Sequence, residues 1–315
     1  MLNNLQYPFH ESYPRKFFSK VRWKLNEIKS WVLPVLNFLR FRFTIIDGFG
    51  APGDTLLTAI VAHNLKRHYP NLKLNIITSN PNLLQYDDTF ETINQPESYY
   101  SERHWYLDIL TDKDRQTNII EPTLVKLGIN EYQYKAKVVL SEDEKERSKM
   151  QLKEYSQPFI AINCLSKEVV KNWPLAYWKE LVDELNPLGT IVQLGDEREP
   201  IIDGVVRFAG ELSMRDSMAL LSHCDLFIGP DSFLSHAANG VDVKSIIIFG
   251  GSRTIKNLGY KENINFENTP DCSPCWIHTS QGNLECQNNL RCLQDIHSST
   301  VLSATQKILK NIANV

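Results

Sequence analysis

Two short clusters carry residue types suited to handling phosphates and hydroxyls. The first is Asp231-Ser232-Phe233-Leu234-Ser235-His236. It follows an apolar, strand-like run, Cys224 to Pro230. It opens a short helix-like segment, Leu234 to Asn239, which ends at Gly240 before a second strand, Lys244 to Gly250. A helix that starts directly after a strand leaves backbone N–H groups without acceptors, and these make an anion site. Asp231, Ser232 and His236 add groups able to hold sugar hydroxyls and phosphate oxygens. The second cluster, Gly48-Phe49-Gly50-Ala51-Pro52-Gly53, matches G-x-G-x-x-G between a strand and a helix. Taken alone it indicates a dinucleotide site. Three features argue against that. Pro52 removes a backbone donor where phosphate recognition would use one. Asp54 puts a carboxylate where a pyrophosphate would sit. The next strand ends in Ile77-Thr78-Ser79-Asn80, without an acidic residue to hold a ribose.

Asp54 fits another task. A helix N-terminus favours its ionised form. An ionised carboxylate at a cleft accepts the proton of a hydroxyl as that hydroxyl attacks. Its ordinary alternative is an N-cap, the commonest work of an Asp at such a place, and on the turn alone the cap is the better reading. For His236 the ordinary alternative is a buried helix histidine bonded to backbone. Together the two turns point to nucleotide-sugar chemistry.

The elements that would position these residues form two α/β series. In the first, Phe43–Asp47 reads as a buried strand and Asp54–Tyr69 as a helix, with Leu56, Leu57, Ile60, Val61 and Leu65 at helical spacing and Pro70 as the stop. Leu72–Thr78 is the next strand, Trp105–Leu110 a further one, and Glu121–Leu127 a helix. Ser141 and Glu144 are spaced as a capping box on the charged helix that follows, and the boundary between the halves is placed near it. The second series runs through strands at Phe159–Asn163, Thr190–Leu194 and Val205–Phe208 and helices at Pro174–Leu185 and Ser213–Cys224 to the βαβ step around Asp231. Residues 251–297 read as one long loop and Thr300–Ile312 as a final helix. The β-α-β order indicates doubly wound parallel sheets. Two such halves place their loops on either side of one cleft, the architecture called GT-B. The expected organisation is an arm over residues 1–42, an acceptor half over 43–150 and a donor half over 151–315.

The chain has 315 residues, 42% hydrophobic and 23% charged, with a formal charge of −3. That composition excludes a disordered or membrane-embedded chain and gives no global argument for nucleic acid. Charge is unevenly placed: residues 1–42 hold eight basic and two acidic residues, a balance of +6 that leaves −9 for the remainder. Aromatics interleave with these bases, and the longest apolar stretch, Trp31–Leu39, is broken by Pro34 and Asn37. It is too short to span a bilayer, which takes ~20 apolar residues, and no small-residue cleavage site follows it. The segment reads either as an arm lying on an anionic membrane surface or as a basic helix packed on protein. With no secretion signal the compartment reads as cytoplasmic and reducing. Cys164 and Cys224 read as core residues. Cys272, Cys275, Cys286 and Cys292, in the Cys-rich loop 270–293, offer a tetrahedral thiolate site for structural zinc or iron, with free thiols as the alternative.

Gly53-Asp54-Thr-Leu-Leu-Thr-Ala59, Lys171-Asn-Trp-Pro174 and Asp231-Ser-Phe-Leu-Ser-His236 stand in an order and spacing that resemble glycosyltransferase family 9, the ADP-heptose:lipopolysaccharide heptosyltransferases. The resemblance runs from about residue 43 to the C-terminus and includes the Cys-rich loop found in many members. It implies a GT-B fold and an inverting transfer from an ADP-sugar without a catalytic metal. It implies Asp54 as general base, with Gly50 and Gly53 shaping the acceptor-side turn. It implies donor contacts from Lys171, Ser166, Asp231, Ser232, Phe233, Leu234 and His236, with Asp216 as the candidate for the ribose. Lys171 would otherwise be a solvated surface lysine; its place after a strand and before Trp173-Pro174 favours function. Three departures stand out: Phe233 where the family has Gly, Asn239-Gly240 in place of an Ala-rich continuation, and the basic arm. They bear on the donor sugar and the acceptor. The acceptor implied is a glycan on the inner membrane face, with the arm holding the enzyme there as a peripheral protein. Relatives that heptosylate autotransporter proteins hold iron through similar cysteines, so a protein acceptor is the alternative. A non-catalytic scaffold that binds nucleotide or glycan is the third reading.

Overall fold

The structure is a computed structural model and describes residues 29–106, 117–275, 286 and 288–313. Helix α1 (Lys29–Phe38) leads into strand β1 (Arg42–Asp47), helix α2 (Pro52–His68) and strands β2 (Lys73–Ile77), β3 (Phe90–Ile93) and β4 (Tyr100–His104). These strands form one parallel sheet in the order β3-β2-β1-β4. Helices α3 (Glu121–Lys126) and α4 (Glu142–Leu152) follow. Pro52 opens α2 because its fixed φ suits a first helical residue and its missing N–H is not needed there. Leu56, Ile60, Val61 and Leu65 are buried at helical spacing, as expected. Thr55, Thr58 and Asn64 are buried too, so α2 is enclosed on nearly every side. The capping box on α4 forms: Glu144 N–H donates to Ser141 Oγ, and Ser141 N–H donates to Glu144 Oε2.

The second sheet is built from β5 (Phe159–Ile162), β6 (Thr190–Gln193), β7 (Val206–Arg207), β8 (Leu226–Pro230), β9 (Ser245–Phe249) and β10 (Ile264–Glu267). All six are parallel, in the order β10-β9-β8-β5-β6-β7. Its helices are α5 (Leu175–Leu185), α6 (Met214–Leu221), α7 (Phe233–Gly240), α8 (Ile255–Leu258), α9 (Arg291–Gln294) and α10 (Ser298–Ala313). The central strands β5, β8 and β9 are buried along their length and read as continuous apolar runs, as a sheet covered on both faces requires.

Sheet order fixes where ligands go. In the first sheet the chain runs from β1 outward through β2 and β3, then returns to place β4 on the other side of β1. In the second it runs from β5 through β6 and β7, then returns to place β8 on the other side of β5. Each sheet therefore has one topological switch point, β1/β4 and β5/β8, with a crevice beyond the strand C-termini. The Asp54 turn follows β1 and the Asp231 turn follows β8. Helix α2 of the first half packs on α7 of the second, and Leu234, Ala237 and Ala238 join the core that contains Leu56 and Ile60.

Two expectations change. A strand lies at Tyr100–His104, just before the strand expected at Trp105–Leu110; Trp105 and Tyr106 are not in a strand, and residues 107–116 lie outside those described. The segment 251–297 is not one loop, because it contributes edge strand β10 and helices α8 and α9. The alternation Ile264-Asn265-Phe266-Glu267 is that of an edge strand, masked by the polar residues around it.

Candidate active site between the two sheets

At the first switch point, Asp47 organises the turn. Its Oδ1 accepts from the N–H groups of Phe49 and Gly50, and its Oδ2 accepts from the hydroxyls of Thr55 and Thr78. Gly50 takes φ +77°, a conformation that favours glycine. Asp54 is not the N-cap of α2. Ala51 holds that position, with no side-chain cap, and Asp54 is the third helical residue. Its carboxylate is therefore left for other work, and Tyr106, just beyond β4, donates its hydroxyl to Asp54 Oδ1 at 2.5 Å. Burial raises the Asp54 pKa to about 7; the Tyr106 bond, Lys171 and Arg253 pull it down, and Asp47 adds to the rise. From sequence the helix N-terminus is expected to favour the ionised form of Asp54, and burial acts against that. Desolvation outweighs the helix dipole, and the result suits a base working near neutral pH. Phe49 stacks on Trp105 at 4.5 Å and on Tyr106 at 4.0 Å, which fixes the tyrosine ring.

At the second switch point, Asp231 is buried and paired with Lys171, Nζ to Oδ2 at 2.8 Å. Lys171 Nζ also donates to the Asp231 carbonyl at 3.3 Å and lies 3.7 Å from Glu168. Lys171 is thus no solvated surface lysine. Burial pulls its pKa down, but Asp231 and Glu168 outweigh that and it stays charged. Burial pushes Asp231 up, and Lys171 and His236 bring it below its ordinary value. His236 is buried, with Nδ1 2.8 Å from the Tyr260 hydroxyl and Nε2 3.9 Å from Asp231. Burial lowers its pKa to about 4, against the pull of Asp231, so it is neutral at pH 7. Its partners are side chains, not the backbone of the ordinary reading. Ser232 Oγ donates to Asn163 Oδ1 at 2.9 Å, tying the 231–236 turn to the end of β5. Glu199 anchors that end by accepting from Asn163, Cys164 and Leu165. The N–H groups of Phe233 and Leu234, first in α7, have no intrahelical acceptor.

The two walls meet. A Cβ added to Gly53 would lie 3.3 Å from His236 Cδ2 and 3.7 Å from the Phe233 backbone nitrogen. The N-termini of α2 and α7 therefore converge, with Asp54 on one wall and the Lys171–Asp231 pair on the other.

Of the residues picked out from sequence, Asp54, Gly53, Lys171, Asp231, Ser232, Phe233, Leu234 and His236 come together. Ser166 lies on the loop after β5, where its N–H donates to Asn172 and its Oγ accepts from Glu168 N–H. Asp216 sits in the first turn of α6, bonded to Ser213 and 3.7 Å from Arg147, and these contacts lie apart from the Lys171 cluster. Tyr106, Glu168 and Arg253 went unrecognised. Arg253 is 6% exposed, and its charge acts on Asp54, Tyr106, Lys171 and Asp231. The available signal was Gly250-Gly251-Ser252-Arg253 at the end of an apolar strand, a position of the same kind as Asp231.

The cysteine loop borders the site. Cys275 N–H and Sγ both reach the Gly251 carbonyl, at 2.7 and 3.2 Å. Gly251 N–H donates to Cys292 Sγ at 3.2 Å, and Leu290 N–H to Cys286 Sγ at 3.4 Å. Burial raises the Cys292 pKa, the Gly251 bond opposes it, and the other three thiols add to the rise, so the four share one neighbourhood. Among the described residues, no three His, Cys, Asp or Glu side chains stand close enough to hold a metal ion. The arm falls largely on residues 1–28, outside those described. Its end carries exposed Val35, Phe38, Leu39 and Phe41, and no described helix is long and apolar enough to cross a membrane.

The two-sheet fold is shared with known proteins. The lipopolysaccharide heptosyltransferase 3 of Escherichia coli K12 is 23% identical over 217 residues, spanning 62% of this chain and 59% of its own length, less than two thirds of that relative. A family 9 glycosyltransferase from Veillonella parvula superposes with a TM-score of 0.67 at 13% identity, covering 86% of this chain and 97% of its own. The dodecameric iron-containing heptosyltransferase TibC, from enterotoxigenic E. coli, superposes with a TM-score of 0.68 at 17% identity, covering 86% and 76%. The family model for glycosyltransferase family 9 (heptosyltransferase) matches residues 112–283, more than half of the chain. The chain belongs to glycosyltransferase family 9.

Proposed function

We propose that the protein transfers heptose, or a related sugar, from an ADP-activated donor to a cell-surface glycan with inversion, and that Asp54 is the general base. The observation that carries this reading is the pairing of opposite walls. A carboxylate poised near pH 7 at the N-terminus of α2 stands across from a charged lysine and the open N-terminus of α7. An inverting displacement needs the acceptor's base and the stabiliser of the leaving diphosphate on opposite sides of the sugar. Lys171 and the first N–H groups of α7 would offset the charge that grows on the diphosphate. Asp231, held by Lys171 and close to His236, would orient the sugar. The halves proposed for acceptor and donor are residues 43–150 and 151–315.

The protein acts as a peripheral enzyme on the cytoplasmic membrane face in this reading, through the basic arm and the exposed apolar end of α1. A protein acceptor is the second reading, favoured by the cysteine cluster beside the site. Thiolates are the ligand type a soft structural metal takes, although the described thiols are not gathered into a ligand set; elemental analysis of the purified protein tests the metal: a stoichiometric metal supports it, and metal-free folded protein contradicts it.

The testing experiment is a thermal-shift screen against ADP, UDP, GDP and CMP, with and without EDTA. A ligand that binds the native state raises Tm by mass action. Selective stabilisation by ADP, indifferent to EDTA, is expected. Selectivity for another nucleotide would overturn the donor assignment, and no response to any would leave a non-catalytic scaffold.

A further inference from the structure

We propose that Tyr260 is a positioning residue that keeps the single N–H of His236 on Nε2, so that His236 donates and Asp231 accepts toward one hydroxyl of the donor sugar. This rests on the nucleotide-sugar reading above. A neutral imidazole has one N–H and one bare nitrogen, and the partner of each decides what the ring offers a ligand. His236 Nδ1 stands 2.8 Å from the Tyr260 hydroxyl, and Nε2 stands 3.9 Å from Asp231 Oδ1. A phenol hydroxyl can donate or accept. Asp231 settles which. Lys171 pairs with its Oδ2 at 2.8 Å and keeps it ionised, and a carboxylate draws the imidazole proton to the nearer nitrogen. Nδ1 is then the acceptor and Tyr260 the donor. The 3.9 Å between Nε2 and Oδ1 is too long for a hydrogen bond. A hydroxyl that accepts from Nε2–H and donates to Oδ1 would bridge it. A phosphate oxygen, with no proton to give, would face the carboxylate instead.

The phenol is built into its place. Gly259 ends α8 tightly: a Cβ there would lie 2.7 Å from the Ile255 carbonyl oxygen, so a side chain has no room where the chain turns into Tyr260. The Tyr260 carbonyl accepts from Asn263 N–H at 3.2 Å and from Asn265 Nδ2 at 2.9 Å. Tyr260 is buried and meets the His236 ring edge-on, with centroids 5.7 Å apart. Its other neighbour comes from the first half. Tyr134, on the segment between α3 and α4, stacks on it at 4.5 Å with the planes 12° apart, and donates its own hydroxyl to the Leu258 carbonyl at 3.2 Å. Tyr260 is therefore fixed by backbone on one side and by an aromatic ring of the opposite half on the other. A hydroxyl held this firmly selects one state of the imidazole it bonds.

The test is a double-mutant cycle that reads ADP-heptose and ADP affinity in the wild type, Tyr260→Phe, His236→Gln and the double variant. Phenylalanine keeps the stacked ring and removes only the hydroxyl. Tyr260→Phe is expected to lose roughly three- to tenfold in ADP-heptose affinity, the scale of one hydrogen bond, with ADP affinity unchanged. In the His236→Gln background the same substitution is expected to change neither, because Tyr260 acts through His236. Wild-type ADP-heptose affinity in Tyr260→Phe would overturn the inference. Equal losses for ADP and ADP-heptose, or a loss that persists in full beside His236→Gln, would overturn it too, since either marks a merely structural role. Imidazole nitrogen NMR of the wild type, assigned with His236→Gln, reads the tautomer directly and decides if Tyr260→Phe does not fold. The proton on Nε2 supports the inference, and the proton on Nδ1 overturns it. A wild type that binds neither ADP nor ADP-heptose overturns the nucleotide-sugar reading itself, and the sugar contact with it.

Discussion

Asp54 joins two properties that pull against each other. Burial makes it a competent base near neutral pH, and the same burial makes its ionised form unfavourable. The folded pKa, about 7, lies above the ordinary 3.8. The folded state therefore holds the proton more tightly, and stability falls as pH rises from the ordinary value to the folded one. Asp54→Asn is expected to lose about 10²–10⁴ in kcat, yet to raise Tm, with the gain growing from pH 5 to pH 8. A gain independent of pH would contradict the assigned shift. His236 behaves oppositely. Its depressed pKa of about 4 gives stability that is complete above its ordinary 6.5 and lost as pH falls through 4. Tyr106 tunes the base, since its donated bond favours the carboxylate. In Tyr106→Phe the acid limb of the kcat/KM profile should move to higher pH, and a limb that stays in place would show that the bond does not act on the base. Asp54 was legible from its turn, but its partner was not. Tyr106 follows β4, paired alongside β1 by sheet order, and no local pattern in the chain announces that pairing.

At the scale of elements, α2 and α7 meet where Gly53 leaves room for His236 and Phe233. Gly53→Ala puts a methyl 3.3 Å from His236 Cδ2. Overpacking of this kind costs about 1–3 kcal/mol, and a lower Tm together with lower turnover is expected. Unchanged Tm and rate would mean that the walls do not meet as described. Helices α2, α4 and α5 and the central strands were readable because their apolar spacing, capping box and prolines are local signals. The edge elements were not. β3 has four residues and β10 alternates weakly, so pairing with a neighbour, not intrinsic preference, makes them strands.

Across the whole molecule, Arg215 on α6 is a buried, charged tie between the halves, beside neutral ones such as Ala136 N–H to Asn239. It pairs with Glu144 through Nε at 2.8 Å and Nη2 at 2.5 Å, donates to Val139, and reaches the Leu83 and Gln85 carbonyls of the first half. Both side chains are nearly buried, 10% and 8% exposed. Arg215→Met leaves Glu144 uncompensated and should cost about 3–5 kcal/mol, read by urea unfolding; a loss no larger than for an exposed pair would contradict a buried tie. The two-sheet plan was legible from the β-α-β order. What remained hidden was convergence. Arg253 and Asp54 are 199 positions apart in the chain, and only the meeting of two switch points brings them into one electrostatic field. The measurement that bears most directly on the account is sugar transfer and ADP affinity determined side by side for wild type and Asp54→Asn. Turnover that collapses while ADP affinity holds is the result predicted for a base on the acceptor wall. Turnover retained by Asp54→Asn, or lost only in step with ADP binding, would contradict it.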